Sequence, residues 1–410
     1  MTEQKKPWVW LLGGSRMSEP MCHEIKNRGY ELLLTDRNPS CHCRQFADRF
    51  YPKLPKGNTS HYSVYDPFNN LAVARLEGGS GSKYGPASAV LTIGTDAGPM
   101  VSQLSFFFDL PRIHTSTALS VKDKIRMRSL IDSDYPNWML IDKCFSDAPL
   151  SLPFVAKLPN LSGSRGFQLI KSTNDWQVYQ YANKDEDAIL VEEYMEGVDL
   201  RPEWREYGFD TSEVALDFFV QDGQVIYANG ALRLFWADMA GIEAGHINPF
   251  EADEEIMALA QGAAAKLGVN WGPFKMDLKY TRQGWAILEC ATRLSGGFDH
   301  GFTAPLATGR NITSAMLDVA LGGHVDSEKL LNRKGKFAAC YAPRFEQGKI
   351  GGFNYPEDGL DLIFENHNGQ INKLTCNQDR PLFLIKQGDT EDEALKNVIQ
   401  YAKKVKPGWC

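Results

Sequence analysis

Residues 272–293 read GPFKMDLKYTRQGWAILECATR, and this stretch decides the fold. It divides into two hydrophobic strands, Gly272 to Tyr280 and Trp285 to Cys290, joined through a turn at Arg282-Gln283-Gly284. Each strand carries a carboxylate near its end, Asp277 on the first and Glu289 on the second, twelve residues apart. That arrangement puts both acids within reach of one cation. Hard oxygen ligands suit Mg2+, which takes one or two protein carboxylates and completes its octahedron with phosphate oxygens. Two acids at strand ends are more often ordinary surface residues, so the neighbours matter. Arg293 and the turn Ser295-Gly296-Gly297 follow and supply a cation and a glycine turn suited to anionic oxygens at a metal.

Upstream, Pro153 to Lys157 reads as a strand ending in a lysine. The small-residue turn Leu161-Ser162-Gly163-Ser164-Arg165-Gly166 and a strand from Phe167 to Ile170 follow it. Such a lysine sets a point charge against phosphates while loop amides cover them; the plainer reading is an exposed hairpin. The spacing is not Gly-x-x-x-x-Gly-Lys-Ser/Thr, so this is no P-loop. Ile189 to Tyr194 is a strand whose end, Glu192 to Met195, offers backbone groups to an adenine edge and apolar contact from Tyr194 and Met195. Asp199, two residues beyond Gly197, suits a ribose hydroxyl. The basic helical stretch Ser120 to Arg128 reads as a solvated helix face. A hairpin crosses Asp222-Gly223, and Glu254 to Leu267 is an Ala-rich helix ended by Gly268.

Nearer the N-terminus, Val9 to Leu12, Glu31 to Asp36 and Ala89 to Thr95 are strands alternating with helical segments, with a short strand at Leu110 to Ile113 after them. This alternation argues a parallel sheet covered on both faces. Gly13-Gly14 lacks the full Gly-x-Gly-x-x-Gly pattern, which argues against nicotinamide binding. The Gly-Gly-Ser-Gly-Ser run at 78–82 reads as a flexible loop. From Gly335 onward, strands near Phe337 to Tyr341 and Pro381 to Lys386 and a helix from Thr390 to Lys404 look like a separate small domain.

A chain of 410 residues implies several domains. A formal charge of −7, with Lys and Arg scattered among the acids, argues against nucleic acid as a partner. No apolar run reaches the length of a membrane span or a signal core. The eight cysteines read as free thiols, which points to the cytoplasm. Cys22-His23 with Cys41-His42-Cys43 lacks the usual spacing of structural zinc.

The ordered set Asp123-Lys124, Lys157 before Ser162 to Gly166, Glu192-Glu193-Tyr194-Met195-x-Gly197-x-Asp199, Asp277 and Glu289-x-x-x-Arg293 resembles the ATP-grasp superfamily over nearly the whole chain. The resemblance implies an α/β and α+β architecture in three parts. These are an N-terminal parallel α/β (pre-ATP-grasp) domain at 1–116, an ATP-grasp domain at 117–334 with its small lobe about 146–195, and a small C-terminal domain at 335–410. It implies that Lys124 and Lys157 contact ATP phosphates while Ser162, Gly163, Ser164 and Gly166 close over them. Glu192, Glu193, Tyr194 and Met195 then hold the adenine, Asp199 the ribose, and Asp277 with Glu289 the Mg2+, or Mn2+ in its place. Lys157 and Arg293 are the implied catalytic residues, Arg293 steadying the transferring phosphoryl group or the acyl phosphate.

Arg233 and Gly245-His246-x-Asn248-Pro249 are similar to substrate-side segments of amino-acid ligases in the superfamily. Arg293, Gly296, Gly297 and His300 complete the expected substrate side, with a structural role equally open for both histidines. The family pattern Glu-x-Asn-x-Arg is broken at Ala291, which removes a third metal ligand. The implied activity is ADP-forming ligation of a small carboxylic acid to an amine or amino acid through an acyl phosphate, with ATP and Mg2+; the subunit number stays open, with a homodimer among the options. A purine-biosynthesis or biotin-carboxylase-like ligase, and a nucleotide-binding protein that has lost catalysis, are the alternatives.

Overall fold

The computed structural model describes residues 6–52, 67–80, 82–131, 136–141, 147–159, 161, 163–186, 188–357, 359 and 361–410. Four parallel strands, Arg49–Pro52, Glu31–Asp36, Trp8–Leu12 and Ala89–Thr92 in that spatial order, form the N-terminal sheet. Every residue of Trp8–Leu12 is buried, because successive side chains point to opposite faces and both faces are covered. Val9 and Leu11 pack with Met21 and Ile25 of the Glu19–Asn27 helix, whereas Trp8, Trp10 and Leu12 pack with Met100 and Leu104 of the Gly98–Phe107 helix. Each such side chain, fully buried, contributes about 1.5–3 kcal/mol.

Three expectations for this half change. The strand expected at Leu110 to Ile113 is an irregular link, and Pro111 has no amide hydrogen to give a ladder. The basic stretch is two helices, Thr115–Lys122 and Lys124–Ile131, because the Asp123 carboxylate accepts from the Ile125 and Arg126 amides and starts the second one. Arg128 is then 2% exposed and not on a solvated face. Of the glycine-serine run at 78–82, Gly78 ends the Pro67–Gly78 helix and Gly81 lies outside the described residues.

An antiparallel sheet of Trp138–Ile141, Ile189–Glu193, Phe154–Lys157 and Gln168–Ile170 forms a smaller lobe. The Thr173–Ala182 helix covers it, with Trp176 edge-on to Phe154. The largest sheet has nine strands. It runs Gly284–Ala291, Gly272–Thr281, Glu213–Gln221, Gln224–Trp236, Glu243–Asn248, Phe337–Tyr341, Leu382–Gly388, Leu362–Glu365, and Phe209–Asp210 pairs with Gln224–Trp236. The hairpin at Asp222-Gly223 is as expected, with left-handed φ of 51° and 76° at the two turn residues.

The segment from Gly335, expected as a separate unit, joins this sheet, since His246 of one strand pairs with Cys340 of the next. A strand pairing of this kind satisfies edge hydrogen bonds that would otherwise face solvent. One face of the sheet carries Val214, Leu216, Phe274, Met276 and Leu278. They pack against Ile256, Ala260 and Ala264 of the Glu254–Leu267 helix. Alternation therefore turns Lys275, Asp277 and Lys279 to the opposite face, which is the polar floor of a cleft. Among the described residues no helix is long and apolar enough to cross a membrane.

Candidate active site

Asp277 and Glu289 are direct partners across the Gly272–Thr281 and Gly284–Ala291 strands. The register slips between Asp277 and Leu278, since Leu278 faces Ile287 and leaves Leu288 as an extra residue. A bulge of this kind bends a strand and re-aims its side chains, and here it sits beside the two acids. Like charges directly opposite are unfavourable unless cations offset them. Lys275 Nζ lies 2.5 Å from Asp277 Oδ2, and Lys124 Nζ lies 3.2 Å from Glu289 Oε1. Burial pushes the Glu289 carboxyl up, but Lys124 and Lys275 more than offset it and hold the group below its ordinary value. Arg293 Nε is 3.9 Å from Asp96, which also pairs with Lys122 at 2.9 Å, so the loop after Ala89–Thr92 reaches this site.

The small lobe meets the floor through Glu192, which is 2% exposed. Its carboxylate pairs with Lys157 on one side and, at 2.5 Å, with Arg128 Nε on the other. The Arg128 guanidinium also donates to the carbonyls of Ile287 at 2.5 Å and Leu288 at 3.0 Å, the residues just before Glu289. Burial pushes Glu192 up, yet Lys157 and Arg128 bring it down to about 2. The Glu192 side chain is thus committed to two cations, and its backbone lies in the sheet between Trp138 and Val155. Glu193 accepts from Asn137 at 2.8 Å, the Tyr194 ring lies 5.5 Å from Lys279 Nζ, and Met195 is buried. Asp199 accepts from the Thr211 amide at 2.7 Å and pairs with Arg205 at 2.5 Å.

Ser162 lies outside the described residues. The rest of its loop reaches across the cleft: Ser164 Oγ donates to the Gly241 carbonyl at 2.7 Å, and Asn377 Nδ2 donates to Ser164 Oγ at 3.2 Å. Gly163 and Gly166 have φ of 68° and 67°, and a Cβ on Gly166 would come within 2.7 Å of Leu158. The carbonyl of Leu161 accepts from Lys124 Nζ at 2.6 Å, so one lysine touches both loop and floor. Asn377 Oδ1 also accepts from the Glu243 amide at 2.9 Å and links the loop to the far end of the floor.

At that end, Arg233 and Arg380 hold Glu243 at 2.6 and 3.2 Å. Arg233 Nη2 is 3.9 Å from Asp299 Oδ2, while Asn229 and Asn248 donate to Asp299 Oδ1 at 2.8 and 2.9 Å. The Ser295 amide donates to Asp217 at 2.7 Å. Burial, together with the charge of Asp299, raises Asp217 to about 7. His246 Nε2 lies 2.9 Å from Thr303 Oγ1, and His300 Nδ1 donates to the Ser295 carbonyl at 2.7 Å. Both imidazoles are buried, which lowers their pKa values, His246 to about 4, and keeps them neutral near pH 7. Gly297 has φ of 79°, and its amide lies against Met17 Sδ at 2.8 Å.

Lys275, Arg128, Asp96, Asp217, Glu243, Asp299 and Asn377 were not singled out from the sequence. Lys275 had a signal, since a residue two before Asp277 on a strand shares its face. The others come from separate segments, and only the folded chain joins them.

Among the described residues no group of three or more His, Cys, Asp and Glu is placed to hold a metal. The floor instead offers two carboxylates from adjacent strands, with Lys124, Lys275 and Arg293 around them. Hard oxygen donors with cations around them fit a magnesium ion that takes its other ligands from phosphate oxygens.

No protein-family model matches the chain, and no curated protein matches it by sequence. Solved structures match it in fold. An L-amino acid ligase from Bacillus licheniformis has a TM-score of 0.79 at 17% identity, with 100% of both chains covered. A phosphoribosylglycinamide synthetase from Anaerococcus prevotii has 0.71 at 15%, covering 99% of this chain and 100% of that one. N5-carboxyaminoimidazole synthetase from Staphylococcus aureus, complexed with ADP, has 0.66 at 13%, with 98% of each chain covered. These are ATP-grasp enzymes, and the chain has the ATP-grasp fold along its length.

Proposed function

We propose that this chain is an ADP-forming ligase that joins a small carboxylic acid to an amine or amino acid. A carboxylate oxygen attacks the γ-phosphorus of ATP, the bond from that phosphorus to the β,γ-bridging oxygen breaks, and ADP leaves. The amine nitrogen then attacks the acyl carbon, the carbon–oxygen bond to phosphate breaks, and the nitrogen gives up a proton to the departing phosphate. Lys157 and Lys124 hold phosphate oxygens, and Arg293 steadies the group in transfer. Asp277 and Glu289 hold magnesium, which when bound offsets charge on the phosphate oxygens. The loop through Gly163, Ser164 and Gly166 excludes water from the acyl phosphate. The backbone of Glu192 to Met195 borders the adenine and Asp199 the ribose. Arg233, Gly296 and Gly297 border the acid and amine, with His246 and His300 behind them.

One observation carries this reading: lysines from early in the chain and acids from late in it meet in one cleft. Lys124 touches Glu289, and Arg128 ties the Glu192 partner of Lys157 to the carbonyls beside Glu289. A phosphate-release screen of amino acids, singly and in pairs, with mass spectrometry of products, tests it. Amine-dependent release of ADP and phosphate with a condensed product is the expected result.

Release that depends on bicarbonate would instead favour the carboxylating alternative. That alternative has support in the fold match, at TM-score 0.67 and 15% identity, to a biotin carboxylase domain solved with MgADP and bicarbonate. Nucleotide binding with no turnover on any pair would favour a protein that has lost catalysis, the reading motivated by Ala291.

A further inference from the structure

Ala291 lies two residues past Glu289, and its direct partner on the neighbouring strand is Lys275. On its other side Lys275 is paired with Asp217. Directly opposed residues of antiparallel strands share a face, so Ala291, Lys275 and Asp217 form one row across the floor. Asp277 and Glu289 form the next row. Lys275 Nζ bonds Asp277 Oδ2 at 2.5 Å, and Lys124 Nζ approaches Glu289 Oε1 at 3.2 Å. Each carboxylate thus has one oxygen on a lysine. Asp277 Oδ1 and Glu289 Oε2 accept no hydrogen bond among the described residues and belong to neighbouring side chains.

These two oxygens are enough for one magnesium ion, which usually binds through one or two carboxylates. In the Lys275 row Ala291 has no oxygen in its side chain, the ammonium already lies on Asp277, and the carboxylate of Asp217 is 1% exposed and accepts from the Ser295 amide, so the row offers a second ion no accessible protein ligand. An ammonium is itself a compact point charge with three donors, and it needs no octahedron. Transfer of a phosphoryl group requires positive charge against its oxygens, and a fixed lysine supplies it as well as a loosely held ion.

We infer that the site takes one divalent cation per nucleotide, between Asp277 and Glu289, and that Lys275 stands in for a second. This rests on the ATP-site reading above. It makes Lys275 part of the charge-bearing floor and explains how Ala291 is compatible with an intact site.

Manganese binding counted by electron paramagnetic resonance, on the full chain saturated with adenylyl imidodiphosphate, tests the inference without turnover. Calorimetry on the same samples reports nucleotide binding separately. The wild type is expected to hold one Mn2+ per chain, and Ala291→Asn alone also one, because Lys275 still lies on Asp277. Lys275→Met combined with Ala291→Asn is expected to hold two, and Lys275→Arg, which keeps the charge, one. Two Mn2+ in the wild type would overturn the inference, as would a nucleotide-binding double variant that stays at one. No nucleotide binding by the wild type would overturn the ATP-site reading and this inference with it.

Discussion

The two ends of the polar floor use the same side-chain types and balance them in opposite ways. At the Asp277–Glu289 end, each carboxylate has its own lysine and one oxygen to spare. At the Asp217–Asp299 end, both carboxylates are fully buried, and Asp217 Oδ2 and Asp299 Oδ2 have no hydrogen-bond partner among the described residues. Buried unpaired carboxylate oxygens are costly, so the second end stores unfavourable charge, offset in part by Arg233 at 3.9 Å from Asp299 and by Lys275 beside Asp217. The first end is built to meet anionic oxygens and a cation. The second is held closed by arginine and asparagine contacts, and its charge is sensitive to protons.

The largest effect that separates the two ends is on turnover. Glu289→Ala and Lys157→Ala are each expected to lower kcat/KM by on the order of 10³-fold or more, as loss of a principal electrostatic contact does. The circular dichroism spectrum should not change. Wild-type rates in either variant would break the comparison.

Next comes stability at the joint between the lobes. Arg128→Met leaves Glu192 buried with Lys157 alone, and removing one partner of a buried pair costs about 3 kcal/mol, readable by urea unfolding. A loss no larger than that of an exposed substitution would show that the clamp does not hold the lobes.

The pH dependence of stability sharpens the contrast. Glu192 and Glu243 have folded values of about 2, below their ordinary 4.5. The stability they contribute is therefore present above pH 4.5 and lost as pH falls through about 2. Asp217 runs the other way: raised from 3.8 to about 7, it binds its proton more tightly in the folded state, so stability falls as pH rises between those values. Asp217→Asn should remove that decline, so that its advantage in urea grows from pH 4 to pH 7. A constant difference would contradict the assignment.

The smallest effect belongs to the loop. Asn377→Ala removes the link between Ser164 and Glu243 and should raise ATP hydrolysis per product formed by about threefold, since gating loops exclude water. Unchanged coupling would show that this contact is only structural.

The hairpins were legible because their signals are local. Asp222-Gly223 suits the left-handed turn that it forms, and the strands carrying Asp277 and Glu289 are bounded by their own turn residues. The Lys157 strand, its small-residue loop and the Glu192 strand were legible for the same reason. Register was not, because the slip at Asp277 depends on how two strands pair and not on either one. Hence the place of Lys275 beside the two acids is not legible in sequence, although it stands two residues from Asp277. In sequence Arg128 reads as a surface charge, because its three acceptors, Glu192, Ile287 and Leu288, lie far along the chain. The strands after Gly335 looked independent because nothing in their sequence names Glu243–Asn248 as their neighbour.

The most direct test is calorimetric titration of the wild type, Lys157→Ala and Glu289→Ala with magnesium adenylyl imidodiphosphate. One nucleotide per wild-type chain, with binding weakened in both variants and magnesium dependence lost in Glu289→Ala, is the predicted result. Equal affinity in all three proteins would mean that the lysine of the small lobe and the acid of the large sheet do not share a nucleotide.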